Sequence, residues 1–378
     1  MQKVEKLSKK IRILFTIPNF DTAGSGKALL NIATRLNKDK FESHIACFHD
    51  RGLFYNEVKK SKIPINLFQF TASMSNRFLG LINTLLISKK IRKIKPHVIH
   101  SFHYAPDYSE ALSAKFANVY WIFTKKNMNW GGNSKNGWKI RSFLANHIII
   151  QNNDMAKRFY ASSNKTTLIR RGINQLEFSN SYKIKKINIP QNSFVIVTVA
   201  NLTPIKGVEY LINGFNKVAN QINNLVLVIV GDDSNIYAQD LKKISHSLSN
   251  KHQIHFLGKR LDIPNILRQS NLFILPTIKN NGGEGCPVSL LEAMASKIPV
   301  LASDVPGNRD ILSNLPDQLF IPEDSNSLAD KIKLFVNQDN NQVLKIVEQQ
   351  YKIINQSYLI EHEVYKHEQV YLKVLGRK

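Results

Sequence analysis

The feature that most constrains the fold is an alternation of short apolar runs with helical patterns, which starts again near the middle of the chain. In the first half, apolar runs such as 11–17 (IRILFTI) and 147–151 (HIIIQ) are separated by stretches with apolar residues at helical spacing. After the polar stretch 183–193 the alternation resumes with 194–200 (FVIVTVA) and 225–232 (LVLVIVGD). Such runs are typical of strands buried on both faces of a parallel sheet. The pattern therefore predicts an α/β protein with two doubly wound, Rossmann-like domains.

The length of 378 residues is too great for a single hydrophobic core and fits two domains of ordinary size. We expect a first domain at 1–186, a second domain at 187–360, and a C-terminal helix at 361–378 that packs back on the first domain. Ligands of doubly wound sheets bind beyond the carboxyl ends of the strands. Two such domains facing each other would therefore place the active site in the cleft between them.

The positive charge of the chain is concentrated in its first half. The net charge is +24, and residues 1–190 contain 33 Lys and Arg against 10 Asp and Glu, whereas the remainder contains 19 against 18. A one-sided field of this kind attracts nucleic acid, an anionic membrane surface or an acidic substrate. The basic residues are spread over many segments without a recognisable nucleic-acid-binding module, so no nucleic acid is expected.

A basic amphipathic helix is predicted at 77–94 (RFLGLINTLLISKKIRKI). Apolar residues combined with lysines and arginines near one end are typical of helices that bind an anionic membrane surface. A buried domain helix with a polar back fits the same pattern. We keep both interpretations and expect a peripheral position at the membrane in the first case.

The cysteine count and the apolar runs exclude several classes of protein. Cys47 and Cys286 are far apart in sequence and provide neither a disulfide framework nor a CxxC metal site, which is typical of a reducing cytoplasm. The sequence contains no run of about 18 apolar residues and no signal-peptide pattern. We therefore expect a cytoplasmic protein that binds no metal.

The tract Gly24-Ser25-Gly26-Lys27 resembles the end of a phosphate-binding P-loop. The P-loop requires a glycine five positions before the second glycine and a serine or threonine after the lysine. Here those positions hold Asp21 and Ala28, so no hydroxyl is placed for magnesium. A nucleotide hydrolase of the P-loop class is thereby excluded.

The stretch with the most chemical information is 282–303 (GGEGCPVSLLEAMASKIPVLAS). A glycine-rich turn leads into Pro287, which suits the first position of a helix. The free N–H groups near 286–289 lie beside the positive end of the helix dipole and form an anion site. Two carboxylates, Glu284 on the turn and Glu292 on the helix, flank this site and can accept hydrogen bonds from sugar hydroxyls. The arrangement suits a ligand that carries sugar, pyrophosphate and ribose in line.

This stretch resembles the E-x7-E signature of the retaining glycosyltransferases of family 4, which have the two-domain GT-B fold. Four further segments are similar to family segments in the same order: 200–207 (ANLTPIKG), 230–233 (VGDD), 255–277 (HFLGKRLDIPNILRQSNLFILPT) and 303–312 (SDVPGNRDIL). The resemblance implies transfer of a sugar from a UDP-, GDP- or ADP-sugar to a glycan or lipid-linked acceptor, with retention of anomeric configuration. It implies a role in cell-envelope polysaccharide, lipopolysaccharide or capsule biosynthesis, and the basic helix at 77–94 adds the expectation of a peripheral position on the inner face of the cytoplasmic membrane. The nucleotide-sugar is a co-substrate, and no cofactor is implied.

The resemblance also implies roles for residues of the second domain. Glu292 would bind the ribose hydroxyls, and Glu284, as a catalytic residue, would bind the transferred sugar. Lys206 would neutralise the departing diphosphate, because a preorganised cation stabilises charge that builds on the β-phosphate. The backbone that would hold the sugar and the β-phosphate belongs to Gly285, Cys286, Pro287 and Val288.

One position departs from the family pattern. Asn201 stands where the family usually has an arginine, five positions before Lys206. Arg260 is a candidate for the missing second cation in the donor site, because related proteins carry a basic residue in that segment.

The first domain would bind the acceptor. Likeness to the family's histidine-bearing loop indicates His103 as a catalytic residue, with His100 packed below it, and a satisfied structural histidine is the alternative. Lys125, Lys126 and Trp130 belong to a basic, aromatic loop that would meet an anionic acceptor, unless it is a plain solvated loop. The backbone of Gly24, Ser25 and Gly26 would form a loop that closes over the donor, because glycine permits close approach and a helix N-terminus favours phosphate.

Two alternatives from other functional classes remain at this stage. A nucleotide-sugar epimerase or a non-catalytic sugar-nucleotide-binding protein would share the fold and the donor site, and Asn201 makes a weakened enzyme conceivable. A nucleic-acid-binding protein is a remote alternative that rests on the charge alone.

Overall fold

The computed structural model of the chain describes residues 10–21, 23–52, 54–130, 134–179, 187–222, 224–279 and 284–377. The boundary predicted at 186/187 lies at the edge of the described residues, and residues 183–186 of the polar stretch and part of the 124–139 loop lie outside them. So does the start of the 282–303 stretch. The described residues form two parallel β-sheets with helices on both faces.

The first sheet has seven strands and the second has six. The first comprises β1 (Ile11–Thr16), β2 (Phe41–Cys47), β3 (Ile65–Leu67), β4 (Val98–Ser101), β5 (Tyr120–Thr124), β6 (His147–Ile150) and β7 (Thr166–Leu168). The second comprises β8 (Phe194–Val199), β9 (Leu225–Val230), β10 (Ile254–Phe256), β11 (Leu272–Leu275), β12 (Val300–Ser303) and β13 (Leu319–Phe320).

The helices alternate with the strands. Those of the first half are α1 (Ala23–Arg35), α2 (Tyr55–Lys60), α3 (Arg77–Ile94), α4 (Ser109–Ala117), α5 (Lys135–Leu144), α6 (Asn153–Phe159) and α7 (Leu176–Ser179). Those of the second half are α8 (Val208–Ala219), α9 (Ile236–His246), α10 (Ile263–Arg268), α11 (Val288–Ala295), α12 (Pro306–Ile311), α13 (Ser325–Val336), α14 (Asn340–Ser357) and α15 (Ile360–Val374). Short 3₁₀ turns occupy Pro204–Lys206, Lys251–Gln253 and Pro316–Gln318.

Strand order confirms the predicted doubly wound α/β architecture. The sheets run β3-β2-β1-β4-β5-β6-β7 and β10-β9-β8-β11-β12-β13, and the paired strands are parallel throughout. In each sheet the winding direction reverses next to the first strand, between β1 and β4 and between β8 and β11. Crevices at such switch points, beyond the carboxyl ends of the strands, are where ligands bind in this architecture.

The last two helices divide between the domains. The tail, which reads as helical from 341 onward, is interrupted after Ser357, where Leu359 forms a parallel bridge with Ile173. Before the break α14 packs on the second domain, and after it α15 contributes Ile360 and Tyr371 to the core of the first.

Polar contacts fix α15 on the first domain. The Tyr371 hydroxyl lies 2.8 Å from Nδ1 of buried His100, and Arg171 pairs with Glu363 at 3.0 Å. His100 is thus buried in the first domain, as the likeness to the family's histidine-bearing loop indicated. The pair with Glu363 gives Arg171 a structural role.

Helix α3 has the predicted bounds, but it presents its large apolar side chains to the outside. Its buried face carries small residues at four-residue spacing, Gly80, Thr84 and Ser88, against α4. A Cβ at Gly80 would come within 2.9 Å of the Ser73 carbonyl oxygen. The helix thus buries one face, with Ile87 and Ile91 in the core of the first domain, as the buried-helix interpretation expected. The polar back of that interpretation is wrong, because the outer face of the first half carries large apolar residues. None of the described helices is both long and apolar enough to cross a bilayer.

Candidate active site in the cleft

Lys206 and Glu284 lie in contact at the carboxyl edge of the second sheet. Lys206 ends the 3₁₀ turn that follows β8, where Gly207 adopts φ +58° and leaves no room for a side chain beside the Pro276 carbonyl. The Lys206 ammonium pairs with Glu284 Oε1, and the two side chains are 20% and 16% exposed. Two residues 78 positions apart in sequence are thus brought to one point, with their charged groups open to the cleft.

Glu292 is buried on α11, and its partner comes from the other domain. Lys27 of α1 reaches across the cleft, and its Nζ lies 3.2 Å from Glu292 Oε1 and 3.2 Å from Glu177 Oε2. Burial raises the pKa of Glu292 against the opposing effect of the Lys27 charge. Burial alone would lower the pKa of Lys27, but the two carboxylates outweigh it and leave that pKa raised. In this structure the Lys27 ammonium is therefore the group that pairs with the Glu292 carboxylate.

The turn before α11 is clamped by the first domain. Asn152, the N-cap of α6, donates from Nδ2 to the carbonyl oxygens of Gly285 at 2.7 Å and Glu284 at 3.3 Å. A Cβ at Gly285 would overlap the Lys126 carbonyl oxygen. Only glycine permits this approach, so the candidate anion site at the start of α11 is assembled from both domains.

The remaining backbone positions of the turn also lie at this junction. Pro287 is the N-cap of α11 and Val288 its first residue. Burial raises the pKa of the Cys286 thiol to about 12, so this thiol is no nucleophile at neutral pH. Among the groups of this turn, the backbone N–H groups at the start of α11 are therefore the ones that can bind an anion.

The glycine tract near residue 24 belongs to a helix rather than to a loop. The structure places Gly24, Ser25 and Gly26 in the first turn of α1, which corrects the expected loop, since α1 begins at Ala23. Gly24 is exposed, whereas a Cβ at Gly26 would come within 2.8 Å of the Phe20 ring. The Ser25 hydroxyl accepts a hydrogen bond from Lys126 Nζ at 3.1 Å. The tract still faces the cleft, because α1 follows β1 at the carboxyl edge of the sheet.

Lys125 is enclosed and does not reach an acceptor, which corrects its predicted role. Its ammonium is 4.3 Å from the centre of the Phe159 ring and 5.0 Å from that of Trp130, and it donates to the Asn127 carbonyl at 2.8 Å. Burial lowers its pKa to about 7. Trp130, half-buried, serves as a wall of this cage. The aromatic residues that the sequence suggested for an acceptor are therefore used to bury a lysine.

Lys126 lies deeper in the cleft than the sequence suggested. It donates to Ser25 and, at 2.5 Å, to the Phe102 carbonyl. Burial, followed by the charges of Arg171 and Arg141, lowers its pKa to about 7. It is placed to position α1 and the Gly285 turn relative to each other.

Asn201 and Arg260 differ in whether their side chains are already paired and thus in how readily they could bind a phosphate. Asn201 is exposed after β8. The Arg260 guanidinium makes two hydrogen bonds of 2.7 Å to the Asp262 carboxylate. The pair uses Nε and Nη2 and fixes the guanidinium at the protein surface, with Nη1 left over for a further contact.

His103 follows β4 and is half-buried among Phe48, Phe70 and Arg141. Its Nδ1 is buried without a partner in the described part of the chain. Burial, with the charges of Arg141 and Lys126, lowers its pKa to about 3. The imidazole is thus neutral at physiological pH and can accept a hydrogen bond.

The depressed pKa of His103 predicts a dependence of stability on pH. Below pH 6.5, the ordinary pKa of histidine, the imidazole is protonated in the unfolded chain but stays neutral in the folded protein. The free energy of unfolding therefore falls as the pH falls. We expect His103→Gln to reduce this loss by up to about 1.4 kcal/mol per pH unit. Urea unfolding at several pH values between neutral and about pH 4 measures the free energy of unfolding of the unaltered chain and of His103→Gln. If the two proteins lose stability in parallel, the lowered pKa of His103 is contradicted.

Sequence reasoning missed the cross-cleft roles of Lys27, Glu177 and Asn152. In the sequence, Lys27 stands out only as the last residue of the glycine tract. Asn152 follows β6 within the polar run QNND, and polar residues after a buried strand are the signal that could have found it.

Two family models match the chain. Residues 22–175 match Glycosyltransferase Family 4, and residues 180–353 match Glycosyl transferases group 1. The junction between these matches falls near the predicted domain boundary.

Relatives with named activities match part or most of the chain. It is 30% identical over 232 residues to a UDP-Gal:alpha-D-GlcNAc-diphosphoundecaprenol alpha-1,3-galactosyltransferase of Escherichia coli, covering 59% of this chain and 58% of that protein. It is 25% identical to an N,N'-diacetylbacillosaminyl-diphospho-undecaprenol alpha-1,3-N-acetylgalactosaminyltransferase of Campylobacter jejuni, covering 76% and 80%. A solved glycosyltransferase structure from Rickettsia africae shares the fold with a TM-score of 0.85, at 21% identity over 98% of this chain and all of that one.

Proposed function

Because the chain belongs to the glycosyltransferases that join a family 4 domain to a group 1 domain, we propose that it transfers a sugar from a UDP-sugar to a lipid-linked acceptor with retention of configuration. The observation that carries this proposal is the cluster of Lys206, Glu284 and Glu292 around the N-terminus of α11. UDP is preferred over GDP and ADP because the Escherichia coli relative is named for UDP-Gal.

Each member of the cluster has a role that its chemistry supports. Glu292, a buried carboxylate, accepts hydrogen bonds from the ribose hydroxyls, and the α11 N-terminus holds the phosphates. Glu284 accepts from hydroxyls of the transferred sugar. The Lys206 ammonium stabilises the negative charge that builds on the β-phosphate as its oxygen leaves the anomeric carbon.

The reaction forms a bond between the acceptor hydroxyl oxygen and the anomeric carbon on the face from which the phosphate departs. The hydroxyl proton passes to the departing phosphate oxygen. His103, neutral and at the end of β4, hydrogen-bonds the acceptor or the sugar. No protein nucleophile takes part in this proposal.

We place the acceptor at an open hollow of about 410 Å³ between α6 and α12, which is lined by residues of both domains. Its charged residues are Lys157, Arg158, Arg309 and Asp154, and Arg309 is paired with Asp154 and Asp304, so Lys157 and Arg158 supply the positive charge for a ligand. This supports an acceptor that carries a phosphate or diphosphate, as in the names of both relatives. We propose that the enzyme works at the inner face of the cytoplasmic membrane, where such an acceptor would be anchored.

A thermal-shift screen against UDP-, GDP- and ADP-sugars tests the donor assignment. We expect stabilisation by a UDP-sugar, followed by transfer to an undecaprenyl-diphosphate-linked sugar with an α-linkage identified by NMR. No shift with any nucleotide-sugar would overturn the donor site. A shift without transfer would favour a non-catalytic binding protein, and conversion of the free nucleotide-sugar would favour an epimerase.

The Lys27–Glu292 pair predicts a competition between Lys27 and the donor. Lys27→Met frees Glu292, so we expect the donor KM to fall about threefold to tenfold. Because the change leaves the buried Glu292 carboxylate without its cation, we also expect the donor-free protein to lose at least about 1 kcal/mol of stability. Steady-state kinetics and the unfolding midpoint measure both effects. A rise in KM would instead place Lys27 on the donor phosphates.

A further inference from the structure

Helix α3 carries a row of large apolar side chains on its exposed side. Phe78 is 73% exposed and Leu79 55%, and the other members have 41–50% of their surface in solvent. We call this set the α3 ridge: Phe78, Leu79, Leu81, Ile82, Leu85 and Leu86. It is contiguous along the first half of the helix and is therefore unlike the scattered exposed apolar residues of an ordinary surface.

The same face becomes basic in the second half of the helix. Lys89 follows Ile82 and Leu85 at seven and four residues, so it continues the line of the ridge, and Lys93 follows it by four. Both lysines are exposed. The sequence from 58 to 106 contains nine Lys and Arg and no Asp or Glu. Lys60 of this segment pairs with Glu57 just outside it, whereas Lys89 and Lys93 have no ion-pair partner among the described residues. The outer face of α3 therefore offers apolar area and positive charge together.

Topology places the ridge at the cleft end of the first domain. Helix α3 leads from the carboxyl end of β3 to the start of β4, two parallel strands of one sheet, so its first residues lie at the carboxyl edge. At 18 residues it is about 27 Å long, whereas the four-residue strand β4 spans about 13 Å. The apolar first half of α3 thus lies at the edge where acceptor and donor meet, next to the end of β4 that carries His103.

We propose that the α3 ridge inserts into the surface of an anionic bilayer, with the lysines of the second half of α3 on the lipid headgroups. Charge complementarity selects this occupant over a second copy of the chain, because the segment 58–106 offers no carboxylate to neutralise Lys89 and Lys93 in a symmetric pair. Insertion would bring the cleft to the depth at which a lipid-linked acceptor presents its headgroup. Membrane binding by the α3 ridge is inferred independently of the proposed function. Only the benefit of holding the cleft at the bilayer rests on the proposed function, because it requires a lipid-linked acceptor.

Co-sedimentation of the full chain with vesicles tests the proposal. The vesicles contain phosphatidylcholine alone or mixed with one third phosphatidylglycerol, at low and high salt. We expect binding to the mixed vesicles only, and a loss of at least about tenfold in Phe78→Ser/Ile82→Ser/Leu85→Ser. Lys89→Glu/Lys93→Glu is expected to lose binding most strongly at low salt.

Matched controls carry the same changes at exposed positions of the second domain. Ile236→Ser/Leu334→Ser/Leu344→Ser and Lys345→Glu/Lys352→Glu are expected to bind as the unaltered chain does. Vesicle binding unchanged by the ridge variant would overturn the proposal. So would a ridge variant that only converts a dimer to a monomer in sedimentation velocity, since that result assigns the ridge to a second copy.

The donor-induced thermal shift of each variant separates this proposal from the proposed function. Because the ridge side chains lie in solvent, we expect the ridge variant to keep both its unfolding midpoint and its shift with a UDP-sugar. Vesicle binding without any donor shift would overturn the proposed function and leave the docking surface standing. If the unaltered chain shows a donor-induced thermal shift but does not bind vesicles, the docking surface is overturned and the proposed function stands.

Discussion

Replacing Lys206 by methionine is expected to lower kcat by about 10²–10³-fold while leaving the donor KM within a few-fold. The Lys206 ammonium and the Glu284 carboxylate are in contact at the carboxyl edge of the second sheet, so the cation is already fixed where the β-phosphate would leave. Its electrostatic contribution grows as charge develops, because the ground state carries less charge on the bridging oxygen than the transition state does. Initial-rate kinetics over a range of UDP-sugar concentrations measure the two constants separately.

Lys259→Met is the matched control for this change. Lys259 lies in the same domain, is 53% exposed and pairs with Asp232 at 2.8 Å, so removing it should leave kcat within about twofold. A rise in donor KM with kcat unchanged in Lys206→Met would show that Lys206 binds the ground state only. Equal losses in both variants would assign the effect to general electrostatics of the domain.

Replacing Glu292 by alanine is expected to raise the donor KM by about 10–100-fold and to abolish the donor-induced thermal shift. The carboxylate is only 9% exposed and is ion-paired with Lys27 in the donor-free protein, so the ribose hydroxyls would displace Lys27 from a buried acceptor. Loss of a hydrogen bond to a charged group costs about 1.5–3 kcal/mol, which corresponds to this change in KM. The effect on kcat should be smaller, because ribose is remote from the reacting carbon.

Glu177→Ala provides the comparison for the Glu292 variant. It removes the other carboxylate that holds Lys27, with 37% of its side chain exposed, and leaves Glu292 in place. We expect a change in donor KM of no more than about threefold. If the two alanine variants behave alike, the role of Glu292 is to hold Lys27 rather than to bind ribose.

The fold followed from local pattern because the long strands are buried on both faces. The runs at 194–200 and 225–232 predicted β8 and β9 to within two residues. The strands that the pattern did not show are the short β3, β7 and β13, which lie at sheet edges and contain two or three residues. Their pairing comes from the neighbouring strand rather than from a periodic sequence of their own.

Residues of the candidate site were predictable where a sequence motif stands at the end of a buried strand or at the start of a helix. Lys206 and Glu284 each stand after a buried strand or before a helix, and the shared architecture requires such ends to meet. Lys125 was misassigned because the sequence shows a basic residue among aromatics but not which way the loop folds. Burial of its ammonium within the Trp130 and Phe159 rings is decided by packing.

The sequence by itself determined the two parallel-sheet domains, the position of the acidic pair around α11 and the family, because these depend on periodicity and on order along the chain. Only the tertiary structure decided that Lys27 pairs with Glu292 across the cleft and that Asn152 holds the Gly285 turn. It also decided that α3 turns Phe78 outward and Gly80 inward. These outcomes depend on how closely two backbones approach and on which charges they bring together, and neither quantity is encoded in the spacing of residues along one chain.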